Sequence, residues 1–211
     1  MNKAIIGRKL GMSQLFTADG KVIPVTVIEA GPCPVVQVKT KERDGYEAVQ
    51  VAFGEIKPQN VTQPLTGHFK KANTAPKRYL KELKLDNAAT YKAGDLILAK
   101  TFVAGDRIDV VGVTKGRGFS GVIQRWNQTT GPMAHGSGYH RGVGSMGANS
   151  DPSRVFKNKH MPGQYGSEQV TIQNLSVVRV DETKNLIFIK GAVPGPKGGM
   201  VVVRSTVKTK A

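Results

Sequence analysis

Acidic residues are scarce in this chain and unevenly placed. Against 31 Lys and Arg stand 15 Asp and Glu, giving a net charge of +16 over 211 residues and an isoelectric point near 10.1. From residue 110 to residue 150 there is no Asp or Glu at all. General acid–base catalysis wants paired carboxylates or a His–carboxylate couple, and that stretch offers neither. Cysteine is nearly absent. The single Cys33, between Pro32 and Pro34, excludes an intrachain disulfide and reads as a small apolar filler at a strand entry. No apolar run is long enough to span a bilayer, and the opening MNKAIIGRKLGM lacks the apolar segment of a signal peptide. These absences lead to the expectation of a cytoplasmic protein with no membrane partner. Aliphatic residues also fail locally: residues 124–171 contain no Leu and no Ile.

What is present is positive charge and glycine. A charge of +16 exceeds what solubility requires, and a compact body carrying it repels itself until a polyanion neutralises it. The basic residues are spread through the chain without forming a like-charge tail, which favours a folded RNA binder over a tail-driven chromatin protein. No homo-oligomer is expected. The hydrophobic fraction of 39% supports a core, slightly lean, for one large domain or two small ones.

Most of the chain reads as strands. KVIPVTVIEA (21–30) follows an Asp19-Gly20 turn, and VVQVKT (35–40) and YEAVQVAFG (46–54) flank a second turn at Asp44-Gly45. Asp-Gly between β-branched runs is a strong hairpin signal. Further strands are expected at 95–103, 107–114, 170–180, 185–193 and 200–206, joined by short turns. This pattern predicts a mainly β fold, an antiparallel barrel or sandwich. The exception is residues 58–94, where PKRYLKELKL (76–85) sets Tyr79, Leu80 and Leu83 at helical spacing behind Pro76 and predicts a small helical insertion.

GRGFSG (116–121) has the G-x-G-x-x-G spacing of a dinucleotide-binding turn and follows a strand-like run. That fingerprint also needs a full helix behind it and an acidic residue about 20 positions on. VIQRWNQTTGP runs into Gly131 and Pro132 too soon for a helix of normal length, and Arg141 stands where the acid should be. No cofactor is expected. His135, His140 and His160 lack the cysteines or paired carboxylates that would make them metal ligands, and Ser137 and Ser145 lack an acid for a triad. The chain does not read as an enzyme.

The region after 124 is too poor in aliphatics to offset its own ordering entropy by burial. Yet it interleaves Trp126, Tyr139, Phe156 and Tyr165 with basic side chains, which suggests a segment that folds against a partner. Residues 110–167 hold seven Lys or Arg and one acid, Asp151. RNA supplies what is missing: arginine pairs with phosphate, aromatics stack on unpaired bases, and glycine permits close approach of the backbone. From Trp126 to Arg154 the chain is long enough for two extended arms that each reach at most about 45 Å.

Five segments carry a family resemblance: GRKLGMSQLF (7–16), TKGRGFSGVIQRWN (114–127), HGSGYHRGVGSMG (135–147), SRVFKNKHMPGQYG (153–166) and NLIFIKGAVPGPKGG (185–199). Together and in this order they resemble the L3 family of large-subunit ribosomal proteins, bacterial type. The resemblance implies a β-barrel of the translation-protein type, residues 1–124 and 166–211, with 58–94 as its partly helical insertion. It also implies a glycine-rich basic extension, 125–165, threading ribosomal RNA toward the peptidyl-transferase centre. Its implied partners are large-subunit ribosomal RNA, bound early in assembly, and neighbouring ribosomal proteins. The implied RNA contacts are Lys9 in the first motif and Lys115 and Arg117 where barrel gives way to extension. Within the extension they are Arg125, Trp126, His135, Ser137, His140, Arg141, Arg154, Lys157, Lys159 and His160, with Asn149 and Ser150 near its tip. Some bacterial relatives carry a methylated glutamine where this chain has Ser150, so that modification cannot occur here.

Overall fold

The computed structural model describes residues 3–208, which form two compact units. One comprises residues up to Val113 together with the chain from Gln169 onward; the other is Thr114–Glu168. In chain order the first unit contains β1 (Ala4–Phe16), β2 (Val22–Ala30), β3 (Cys33–Lys39), the single helical turn α1 (Lys41–Asp44) and β4 (Ala48–Glu55). It continues with α2 (Gln63–Lys71), β5 (Lys77–Leu83), the two-residue β6 (Leu96–Ile97) and β7 (Arg107–Val113). The second unit holds β8 (Phe119–Ser120), α3 (Val122–Trp126) and β9 (Gly163–Gln164). The chain then returns to the first unit through β10 (Gln169–Asp181), β11 (Leu186–Lys190) and β12 (Met200–Ser205).

Six strands close an antiparallel barrel in the order β1-β12-β7-β10-β11-β2, and a four-stranded sheet runs β5-β4-β3-β6. The mainly β expectation therefore holds. Aliphatic side chains from the barrel strands form its core: Ile5, Ile28, Ile108, Ile187, Ile189 and Val203 are all fully buried. Each such side chain stabilises the fold by about 1.5–3 kcal/mol. Closure removes the free edges that would otherwise invite aggregation. The expected Asp19-Gly20 hairpin joins β1 and β2, with Phe16 opposite Val22 and Gly20 at φ +74°. The second hairpin, β3–β4, turns through α1, capped by Gly45 at φ +82°.

Two polar devices hold irregular points of the barrel. At a register shift in β1, the Lys9 ammonium donates to the carbonyls of Val193 (2.7 Å) and Gly195 (3.0 Å). Lys9 also exchanges backbone bonds with Gly198 and Gly199, so the loop before β12 is tied to β1. At a second shift, in β10, the fully buried Asp109 accepts the Asn174 backbone N–H at 3.0 Å. A buried carboxylate needs such donors to offset its desolvation.

Two expectations are corrected, and one strand is added. Residues 76–85 are not helical: Lys77–Leu83 is a strand paired antiparallel with β4, Tyr79 opposite Phe53 and Leu83 opposite Val49. Both faces of β5 are covered. Leu83 enters the main core while Leu80 packs against the Val36–Phe69 cluster, so positions 79, 80 and 83 mimic helical spacing. The helix of the insertion is α2, starting at Gln63–Pro64 and burying Phe69. The run 95–103 is only briefly extended, at Leu96–Ile97, before a 3-10 turn over Ala99–Thr101 that seats Phe102 in the core. Finally, β1 is a thirteen-residue strand that the sequence pattern did not announce.

Candidate nucleic-acid interface

The second unit begins as an antiparallel ladder between 114–120 and 163–168. Thr114 N–H donates to Glu168 at 2.9 Å, Arg117 N–H to Tyr165 at 2.9 Å and Tyr165 N–H to Gly118 at 2.9 Å. Phe119 pairs with Gln164 and Ser120 with Gly163. The glycines of the G-x-G-x-x-G run work here. Gly118 adopts φ +64°, and a Cβ on Gly116 would lie 2.6 Å from the Ser167 hydroxyl. The helix that follows is one turn of five residues, ended by Asn127 at φ +54°, far short of the helix a pyrophosphate site uses.

Directly after this ladder the functional side chains converge. The Arg125 guanidinium (2.9 Å) and the Trp126 indole N–H (3.0 Å) donate to one acceptor, the Met161 carbonyl. The indole stacks on the His160 ring, centroids 4.1 Å apart and planes 4° from parallel, and the Arg125 guanidinium lies 5.0 Å from the indole centroid. Trp126 remains 41% exposed. A stacked indole–imidazole pair with a guanidinium alongside offers π-faces to an unpaired base and positive charge to its phosphate.

Between 128 and 165 no residue is buried. The path is held by local polar bonds and by glycine. Gly131 N–H donates to the His140 carbonyl at 2.8 Å, and His140 Nδ1 donates to the Pro132 carbonyl at 2.9 Å, leaving Nε2 for a ligand. Tyr139 sits where side chains on Gly131 or Gly142 would be: a Cβ on the first would strike its carbonyl oxygen, and one on the second its ring. The Ser137 hydroxyl donates to the Tyr139 carbonyl at 3.2 Å, and the Lys159 ammonium to the Ser145 carbonyl at 2.7 Å. Some of these glycines thus serve contacts inside the loop, beyond any approach to RNA.

Of the expected contact residues, Arg125, Trp126 and His160 are brought together. Arg117 lies over Tyr165 (5.4 Å) and Arg154 over Phe156 (4.9 Å). Lys115, His135, Arg141, Asn149, Ser150 and Lys157 are exposed along the path. Lys9 stands apart in the barrel, its ammonium engaged by carbonyls and only 9% of the residue exposed. Tyr139, Phe156, Tyr165 and the Met161 carbonyl were missing from the expected set. The aromatics carried a signal in their alternation with arginine; a backbone acceptor leaves none in sequence.

The electrostatics are one-sided. Among the described residues, none of the Lys and Arg side chains of Thr114–Glu168 has a carboxylate partner, whereas Lys3, Arg8, Lys39 and Lys41 of the first unit do. Unpaired cations on a segment without a core are what a phosphate backbone would neutralise. In the comparison with protein families, the model of ribosomal protein L3 matches residues 80–185, half of the chain and the whole of this second unit, and the chain belongs to the ribosomal protein L3 family.

Proposed function

We propose that Thr114–Glu168 is the RNA-embedded part of a bacterial-type L3 protein, an extension running through ribosomal RNA toward the peptidyl-transferase centre and supporting early subunit assembly. Membership of the family makes the chain a structural constituent of the large ribosomal subunit that binds its ribosomal RNA. One observation carries the finer reading. The second unit keeps a defined path through its own hydrogen bonds and glycine packing, yet from 128 to 165 it buries nothing and pairs none of its cations with carboxylates. Such a segment is completed by a polyanion.

Roles follow from chemistry. Lys115, Arg117, Arg125, Arg141, Arg154, Lys157 and Lys159 neutralise phosphates, while Trp126 with His160 presents a stacking face. His135, Ser137, His140, Asn149 and Ser150 supply hydrogen bonds to sugars, phosphates or base edges. Lys9 is left out of this set because its ammonium already serves the barrel. Neighbouring large-subunit proteins are the remaining expected partners.

The test is binding of the purified chain to large-subunit ribosomal RNA across a salt series. With roughly six phosphates neutralised by the second unit, that unit should contribute about −4 to −5 to the slope of log K against log salt. A slope near zero, or equal affinity for unrelated RNA, would overturn the reading.

A further inference from the structure

The first unit holds a second cationic site that the family motifs do not mark. A groove of about 460 Å³ lies against the four-stranded sheet, floored by Val36, Gln37 and Val38 of β3 and lined by Arg43, His68, Lys71 and Lys92. Three further stretches of chain meet β3 there: Arg43 comes from α1, His68 and Lys71 from the last turn of α2, and Lys92 from the loop before β6. No Asp or Glu lines it.

Three nearby carboxylates are engaged by groups other than the cationic side chains of the groove, while Glu42 lies exposed beside Arg43 on α1. Asp44 accepts the Thr40 backbone N–H, Asp95 accepts the Lys92 backbone N–H at 2.7 Å, and Glu47 faces Lys41. Arg43, Lys71 and Lys92 have no carboxylate partner among the described residues. His68 is fixed in place, its Nε2 2.6 Å from the Gln50 amide oxygen, so Nε2 carries the hydrogen and the ring is oriented by β4. Lys71 and His68 sit at the C-terminal end of α2, where the helix dipole already attracts cations. That attraction accounts for two basic groups near the helix end. It does not account for Arg43 and Lys92 arriving from other elements.

We infer that this groove is an anion site for RNA backbone, in which Arg43, Lys71 and Lys92 hold successive phosphates and His68, oriented by Gln50, borders the same path. The occupant is RNA because the chain already binds ribosomal RNA, the site shares its unbalanced charge, and three cations from different elements match an extended polyanion better than a single small ion. This rests on the RNA-binding reading above and adds a contact surface on the first unit, independent of residues 114–168.

The test uses the full-length protein and large-subunit ribosomal RNA, read by salt titration and nucleotide-resolution footprinting. Two variants are compared with the parent: Arg43→Gln/Lys71→Gln/Lys92→Gln, and Arg141→Gln/Arg154→Gln/Lys157→Gln. The groove variant should lower the magnitude of the salt slope by about 2 to 3, one for each phosphate it no longer neutralises. It should also lose protections at nucleotides that the extension variant still protects. The charge-conserving Arg43→Lys/Lys71→Arg/Lys92→Arg should keep both, which separates charge loss from misfolding. An unchanged slope and footprint in the groove variant overturns the inference while leaving the extension reading intact. Normal binding to naked RNA but failed entry into subunits would assign the groove to an acidic protein segment and also overturn it. Loss of RNA binding in neither variant would sink the RNA reading itself.

Discussion

Trp126 carries three contacts at once: a hydrogen bond to the Met161 carbonyl, a parallel stack on His160, and the guanidinium of its own neighbour Arg125. Base stacking on an aromatic is worth about 1–3 kcal/mol, so Trp126→Ala should weaken ribosomal RNA binding by about 5- to 150-fold. Trp126→Phe keeps a ring while losing the indole N–H and should fall between, in the same filter-binding assay. An alanine variant with parental affinity would remove Trp126 from the interface. Cys33 poses the opposite case. It is fully buried, its thiol donates to the Ile6 carbonyl at 3.3 Å, and burial pushes its pKa up to about 12. Native protein should therefore resist iodoacetamide at neutral pH and react once unfolded. The folded state favours the neutral thiol, so its contribution to stability is intact below the unfolded pKa near 9 and fades as pH rises toward 12. A rise of that size corresponds to about 4 kcal/mol, an upper figure for the loss by strong alkali. Urea melts from pH 8 to 11 should slope downward in the parent more than in Cys33→Ala. Cys33 was legible as an apolar filler from its proline brackets. Lys9 was not legible, because nothing in GRKLGM says that this lysine turns inward to Val193 and Gly195 while Arg8 pairs with Glu29 at 2.7 Å.

At the level of elements, β7, β10, β11 and β12 lie within a few residues of the β-branched, turn-bounded runs that named them, and β11 and β12 alternate buried with half-buried positions. β1 was hidden by Gly7, Gly11, Arg8 and Lys9. Gly7 has a tertiary cause, since its missing Cβ makes room for Ile28 Cγ2, which would lie 2.6 Å from it. That clash belongs to β2 across the pair and cannot be seen along the chain. β5 misled for a related reason. A strand covered on both faces loses its two-residue period, and the remaining pattern of Tyr79, Leu80 and Leu83 fits a helix equally well. Leu83→Ala is then a core truncation in a sheet and should cost about 2–5 kcal/mol in urea unfolding. In a surface helix the same change would be nearly neutral, so a cost under about 0.5 kcal/mol would argue for the helical reading. The loop beyond 128 was legible as coreless and basic. Its detailed path was not, because it depends on a tyrosine pressed against two glycines, Gly131 and Gly142, on either side of it in the chain.

For the molecule as a whole, charge and architecture divide the labour. The first unit has the closed barrel and the buried aliphatics; the second has a ladder, one helical turn and a coreless stretch. Stability should therefore reside in the first unit and depend little on the coreless stretch. Replacing residues 131–152 with a short Gly-Ser turn removes Arg141 and the tip with Asn149 and Ser150, yet spares the Trp126–His160 stack and the ladder formed by 114–120 with 163–168. Since none of the removed residues is buried, the urea midpoint of the remaining protein should move little. The shortened chain should still bind ribosomal RNA, with a salt slope that becomes shallower as fewer phosphates are neutralised. Its deficit should emerge in particles: if the extension is embedded in RNA as proposed, large subunits reconstituted with the shortened chain should assemble poorly or form peptide bonds slowly. Substituting Asn149 or Ser150 alone should be milder, leaving assembly intact and changing sensitivity to drugs bound at the peptidyl-transferase centre. Subunit profiles and a peptide-bond assay on the same particles read both effects. Full assembly and full activity with the shortened chain would make the extension dispensable, and its unpaired arginines and tightly packed glycines would then need a cause other than RNA.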